Sequence, residues 1–358
     1  MLPELQKIDR ELIELLGQRI ALLKASQACD AVDTSHLLAQ AGVPEYVWQH
    51  LTLGCAAASV ASPTPAIAQP QPRRVTIIGG RGQMGRFFAQ QLTAAGHCVQ
   101  AIGRHDWQRA DELLKTAELV IVCVPIAQTL AAIEQAAKYL QPDTVLVDLT
   151  SIKTSIVQAM LDHHSGPVLG LHPMFGPGVQ SFLSQNVVVC VGRRQEAGQW
   201  FLDLIASRGG KLIYCTPQEH DRIMTVVQAI RHFWAFSLGV FLAEQGIDVL
   251  RSLDFSSPLY RLQLNIVSRL FAQDASLSLK MMLATAERRH AIRDLATVCS
   301  RLAEMIGQED EAGLGCEFEA TSRFFHQEAK RALCESNHTI NSLSVLLAAS
   351  ETSSGQES

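Results

Sequence analysis

The stretch that most limits what this chain can fold into is Arg74 to Gly96, RVTIIGGRGQMGRFFAQQLTAAG. A β-branched apolar run, Val75 to Ile78, leads into Gly80, Gly82 and Gly85 in the G-x-G-x-x-G spacing. A helical pattern carried by Phe87, Phe88 and Leu92 follows. Glycines at this spacing mean little alone; between a strand and a helix they specify a dinucleotide-binding turn. The first permits the tight turn, the second lets backbone approach a pyrophosphate, and the third lets helix pack on strand. The helix start, with Gln83 and Met84, offers N–H groups and the positive end of its dipole to phosphate.

Short apolar runs recur at 98–102, 119–124, 145–149, 168–171 and 187–191, with helical segments at 109–116 and 127–139. Near-continuous apolar strands alternating with helices predict an α/β Rossmann-type domain, its parallel sheet buried on both faces. Ligands of such sheets lie at the carboxyl ends of the strands. That edge gathers Gly80, Gly103, Val124, Pro125, Ser151 and His172.

The end of the second strand selects between nicotinamide cofactors. An acid there accepts hydrogen bonds from the adenosine ribose and disfavours a 2′-phosphate. Here the sequence is AIGRHDW, so Gly103 and Arg104 take that place, which favours NADP; Asp106, slightly further on, keeps NAD open.

Two further strand ends carry chemistry. Asp148-Leu-Thr-Ser-Ile-Lys153 closes the fourth run and Leu169-Gly-Leu-His-Pro-Met-Phe-Gly-Pro177 the fifth. His172, followed by proline, is expected on a rigid loop at the ligand edge. A neutral imidazole is the natural acceptor for a hydroxyl proton lost as hydride leaves the same carbon. Ser151 is expected to hydrogen-bond that hydroxyl or the ring.

From Pro217 the pattern turns helical, predicting an all-helical substrate and dimerisation domain over 217–349 after a dinucleotide domain over 74–216. The run from 219 to 246 is apolar on most sides, interrupted by Gln228, Arg231 and His232. Ser256-Ser257-Pro258 reads as a helix start, which places Arg261 near an N-terminal end. A guanidinium there suits a carboxylate. Arg269 and the Glu287-Arg288-Arg289-His290 cluster read as a solvated, salt-bridged face.

Ahead of the nucleotide turn lies a short helical segment, 1–58, with Leu5, Ile8, Leu12, Leu15 and Leu22 on one seam and Arg19 among them. Arg19 reads there as a snorkelling or paired cation. An Ala/Pro-rich linker at 59–73 follows, and the tail 350–358 reads as disordered. Net charge is −5 with mixed signs, so neither nucleic acid nor a membrane surface is an expected partner. No run reads as a membrane span, and the nine scattered cysteines read as buried thiols of a reducing, cytoplasmic compartment.

GGRGQMGRFF, HDW, VIVCVPI, VLVDLTSIK, GPVLGLHPMFGP, QAIRHF and SSPLYRLQL–RLFAQD, in that order, resemble prephenate dehydrogenase, most closely the bacterial form fused to chorismate mutase. The resemblance implies NAD(P)-dependent oxidative decarboxylation of prephenate to 4-hydroxyphenylpyruvate in tyrosine biosynthesis, by a homodimer. It implies His172 as base, Arg261 as carboxylate binder, and His232 with Gln228 at the substrate side chain. Arogenate is the alternative substrate; a hydroxyacid dehydrogenase and an inactive nucleotide sensor are the alternative classes. KIDRELIELLGQR, Lys7 to Arg19, resembles the first helix of helical chorismate mutases. Only Arg19 matches that family's cationic positions, which implies a degenerate remnant without mutase activity.

Overall fold

A computed structural model describes residues 2–25, 33–60, 71–176 and 178–354. Most of the predicted linker and the last four residues of the tail lie outside them. The chain divides into two compact units, Met1–Asp221 and Arg222–Ser358.

In the first unit, α1 (Leu2–Ala25) packs on α3 (Glu45–Val60), with the short α2 (Ser35–Ala41) ended by Gly42 at φ +66°. The helix of α3 therefore runs past the predicted start of the linker, since alanines continue it without a breaker. Arg19 lies 5.7 Å from the centre of the Trp48 ring, while Leu5, Ile8, Leu12, Leu15 and Leu22 stay exposed.

The rest of that unit is a seven-stranded sheet in the order β2-β1-β3-β4-β5-β6-β7. Its strands are β1 (Arg74–Ile78), β2 (Cys98–Ile102), β3 (Leu119–Val122), β4 (Val145–Asp148), β5 (Val168–Pro173), β6 (Asn186–Arg193) and β7 (Lys211–Tyr214). The first five are parallel, joined through α4 (Gln83–Thr93), α5 (Ala110–Lys115), α6 (Ile126–Ala137) and α7 (Thr154–His163). Strands β3 and β4 are buried at every residue, and apolar clusters cover both faces. One cluster is built on Ile78, Val120 and Leu146, the other on Ile77, Ile121 and Val147, as alternating side chains of doubly covered strands require.

Against the all-parallel expectation, strand β6 runs antiparallel to β5, no crossover helix lying among the described residues 174–176 and 178–185 between them. After α8 (Gln199–Ser207) the unpredicted β7 pairs parallel with β6; it is short and largely exposed, so its apolar signal is weak.

The second unit holds the end of α9 (Pro217–Met224), a π-helical turn (Thr225–Ile230), and α10 (Arg231–Glu244). It continues through α11 (Val249–Asp254), α12 (Pro258–Phe271), α13 (Ala275–Leu283), α14 (Ala286–Gly307) and α15 (Glu311–Ser354). The helix Pro217–Glu244 is long and apolar enough to cross a membrane by length and composition alone, a test that the core helix of a soluble protein also passes. Helix α15 extends through Ser354 into the predicted disordered tail, no proline or glycine interrupting it after Gly315. The eight described cysteines are free thiols, but Cys98, Cys299, Cys316 and Cys334 are exposed rather than buried.

Candidate active site

The nucleotide turn is built by close backbone approach. Gly79, absent from the predicted triplet, has φ +83°, and a Cβ on it would stand 2.2 Å from the Cys123 carbonyl oxygen of the β3 end. A Cβ on Gly85 would stand 2.4 Å from the Gly79 oxygen, so only glycine lets α4 start against the turn. Gly82 is the N-cap of α4 with no side-chain cap, and Gln83 and Met84 open the helix. Gly80 closes the turn onto Ile77, and Val124 backs it. Pro125 caps α6 at the neighbouring strand end. These groups fit a dinucleotide pyrophosphate, as glycine turn and uncapped helix start require.

At the β2 end the side chains are arranged differently from the sequence expectation. Asp106 turns back to accept the Gly103 N–H at 2.7 Å and pairs with Arg81 at 2.8 Å. That N–H, with the Arg81 charge, holds the Asp106 carboxyl below the usual range. Arg104 is exposed. An acid therefore does stand at the strand end, supplied three residues later than the usual position.

His172 lies within β5 and not on a loop. It pairs with Val188 of β6, and β5 projects past the end of β4, whose pairing stops at Gly170. Beyond that point Pro173 interrupts no ladder with β4. His172 is buried, and its Nδ1 lies 2.8 Å from Nε2 of His220. Nδ1 of His220 in turn lies 2.8 Å from Oδ1 of Asp221. The Asp221 carboxylate also accepts the N–H groups of Lys153 (2.8 Å) and Thr154 (2.9 Å), where α7 begins. Burial opposes its charge, but the bonds from His220, Thr154 and Lys153 hold its pKa well below the usual range. Burial lowers the His220 pKa and keeps that ring neutral.

Ser151 is buried in the same β4–α7 turn. Beneath it, Lys153 and Asp148 form an ion pair with both side chains fully buried. Thr150 donates to Asp148 through its N–H (2.9 Å) and its hydroxyl (2.6 Å).

In the second unit, Gln228 sits on the π-helical turn, a distortion often found at functional sites. Arg231 donates to Nε2 of the buried His232 at 2.8 Å. Burial, then Arg231 and Arg288, push the His232 pKa down to about 4. The neutral ring thus carries its proton on Nδ1, a buried donor without a partner among the described residues. Arg288, expected on a solvated face, is instead 1% exposed; it donates to the Met281 carbonyl (3.0 Å) and approaches Gln228 Oε1 (3.5 Å). Helix α14 turns this one residue of its charged run inward. Arg261 stands on α12, which Ser257 caps by accepting the Tyr260 N–H, and it donates to the Leu253 carbonyl at 3.3 Å. No group of His, Cys, Asp and Glu side chains suited to a metal ion occurs among the described residues.

Sequence reasoning missed Gly79, His220, Asp221 and Arg288. A glycine directly before the triplet was the available signal for the first. The others are polar residues near helix starts, where solvent exposure is the ordinary expectation.

The family described as "Prephenate dehydrogenase, nucleotide-binding domain" matches residues 93–214, and "Prephenate dehydrogenase, dimerization domain" matches 216–319. The T-protein of Enterobacter agglomerans is 41% identical over 273 residues, covering 76% of this chain and 73% of the relative. The T-protein of Haemophilus influenzae is 38% identical over 267 residues, covering 75% and 71%. Among solved structures, prephenate dehydrogenase from A. aeolicus, in complex with hydroxyphenyl propionate and NAD+, superposes with a TM-score of 0.60. It shares 18% identity and covers 72% of this chain and 98% of its own. Synechocystis arogenate dehydrogenase gives 0.54 at 19% identity, covering 72% and 99%. The last two establish the fold. On the sequence relatives and the two matched domains, the chain belongs to the prephenate dehydrogenase family.

Proposed function

We propose that this chain is an NAD(P)-dependent prephenate dehydrogenase, converting prephenate to 4-hydroxyphenylpyruvate and carbon dioxide. The observation that carries the reading is a buried, hydrogen-bonded histidine at the ligand edge of a dinucleotide fold. His172 accepts the proton of the ring hydroxyl as the carbon bearing it is oxidised. A bound nicotinamide supplies the hydride acceptor. The electron pair of the ring–carboxylate bond then passes through the ring to the oxygen, carbon dioxide leaves, and His172 returns the proton to the phenol. Ser151, in the turn beside it, hydrogen-bonds the same hydroxyl.

Arg261 binds a substrate carboxylate. His232 offers its buried Nδ1–H to the pyruvyl side chain, with Gln228 four residues earlier on the π-helical turn as a second polar group for it. Replacing Arg261 by alanine removes one charge-assisted contact, worth about 1.5–3 kcal/mol. The Michaelis constant for prephenate then rises roughly ten- to hundredfold, at nearly unchanged kcat. An unchanged constant in steady-state kinetics refutes this role.

Gly80, Gly82, Gln83, Met84, Gly85, Val124 and Pro125 hold the cofactor. The position of Asp106 favours NAD over the NADP read from Gly103 and Arg104, because its carboxylate stands where the adenosine ribose hydroxyls need an acceptor. For Asp106→Ala, kcat/KM with NAD falls about tenfold or more, and the ratio to NADP moves towards NADP. Equal losses with both cofactors exclude ribose recognition by Asp106.

Prephenate and arogenate differ at the side-chain carbon, keto in one and amino in the other. A neutral His232 donor suits a keto oxygen, and absorbance at 340 nm with each substrate and each cofactor tests the whole reading. We assign the protein to the cytoplasm as a homodimer, its N-terminal segment a mutase-like remnant. The 216–319 match to a dimerization domain and the exposed Phe318, Phe324 and Phe325 of α15 support the dimer.

A further inference from the structure

We infer that His220 and Asp221 are positioning residues that fix the tautomer of His172, keeping its proton on Nδ1 so that Nε2 is the atom presented for proton transfer. The inference rests on His172 being the base of the proposed reaction.

An ionised carboxylate only accepts hydrogen bonds, so the His220 nitrogen facing Asp221, Nδ1, carries a hydrogen. His220 is 1% exposed and neutral, so its Nε2 bears a lone pair. That lone pair faces Nδ1 of His172 at 2.8 Å and can only accept. The hydrogen therefore sits on Nδ1 of His172, and a neutral His172 has an unprotonated Nε2.

The far end of this chain is rigid. Asp221 accepts the backbone N–H of Lys153 on Oδ1 and that of Thr154 on Oδ2, so its carboxylate cannot turn without breaking a bond. It also lies at the positive end of α7, which favours its negative charge. The charged groups facing His220 are Asp221 on its own helix and the Asp148–Lys153 pair of the β4–α7 turn, with His172 facing it from β5. The pair largely cancels, leaving Asp221 as the unbalanced charge. When His172 takes a proton, its Nδ1–H bond to His220 becomes charge-assisted, and the ionised Asp221 supports it through the second ring. Two residues that touch neither substrate nor cofactor in this scheme thus set both the geometry and the basicity of the base.

The test begins with the full-length protein labelled with ¹⁵N-histidine and measured by NMR at neutral pH without substrate. His172 and His220 are both expected as the Nδ1–H tautomer. In His220→Leu, the tautomer preference of His172 is lost and kcat falls about ten- to hundredfold, with Michaelis constants nearly unchanged. The acid limb of the kcat profile moves to lower pH by up to about one unit, since the imidazolium has lost its acceptor. His220→Gln, whose Oε1 can stand in for the Nε2 acceptor, recovers a substantial part of the rate.

An Nε2–H tautomer of His172 in the unmodified protein overturns the inference. So does a folded His220→Leu variant with full kcat and an unshifted profile. If the leucine variant does not fold, the tautomer measurement and the glutamine variant decide. Because the tautomer is read without substrate, absence of turnover with prephenate overturns the proposed reaction and leaves the tautomer result standing.

Discussion

Replacing His172 by asparagine lowers kcat with prephenate by about two to four orders of magnitude, the range for loss of a general base. The Michaelis constants for prephenate and cofactor change little. Asparagine has nearly the width of imidazole near the backbone and can keep a polar contact to His220, so the sheet edge stays formed. What it lacks is a basic nitrogen at the Nε2 position. The residual rate comes from positioning of substrate against cofactor, which does not depend on the base. Stopped-flow measurement of the first turnover separates this loss from slow product release: the burst rate falls with kcat if proton transfer is impaired. The residual activity also loses the acid limb of the pH profile, since the group that must be deprotonated is gone. Asparagine at this position with kcat within threefold of the parent means that another group takes the hydroxyl proton, and the assignment of His172 fails.

The nucleotide half of the site was readable because its signal is local. Strand, glycines and helix are consecutive in sequence, and Gly80, Gly82 and Gly85 do sit at the β1–α4 turn. The residue with the demanding backbone was nonetheless Gly79, since spacing alone does not say which of two adjacent glycines takes positive φ. The direction of β6 was not encoded in its apolar run, which looks the same read either way. Only the lack of a helical pattern over 174–185 distinguished it. His220 and Arg288 are harder cases. Each lies in a charged helical start, QEHD and ERRH, where composition points to solvent. Their burial is fixed by partners distant in sequence: His172 is 48 residues from His220, and Gln228 is 60 from Arg288. Asp106 was legible in the sequence only as an alternative to Gly103 and Arg104. The rule about the second strand names a position, whereas the side chain reaches that position from three residues away.

Lys153→Met destabilises the protein by about 3–5 kcal/mol, the range for breaking a buried ion pair by removing one partner. Both Lys153 and Asp148 are fully buried, and Lys153 neutralises a carboxylate at the very end of β4. Burial pulls the Lys153 pKa below its usual range, and the charge and hydrogen bond of Asp148 oppose that pull. Methionine fills a similar volume without charge. Asp148 then keeps only the two Thr150 donors, and its Oδ1 has no partner among the described residues. Denaturant unfolding of parent and variant measures the loss directly. The double variant Asp148→Leu/Lys153→Met recovers most of it, because apolar groups of similar volume replace a buried pair at little cost. Activity should not return with stability. The backbone N–H of Lys153 is one of the two that orient Asp221, and the turn bearing it has been repacked around apolar side chains. Restored stability with reduced kcat would place the role of the pair in holding the β4–α7 turn for His220 and His172. If the single Lys153→Met variant is as stable as the parent, the two groups do not meet as a dry ion pair, and the electrostatic foundation of this edge of the sheet has to be drawn differently.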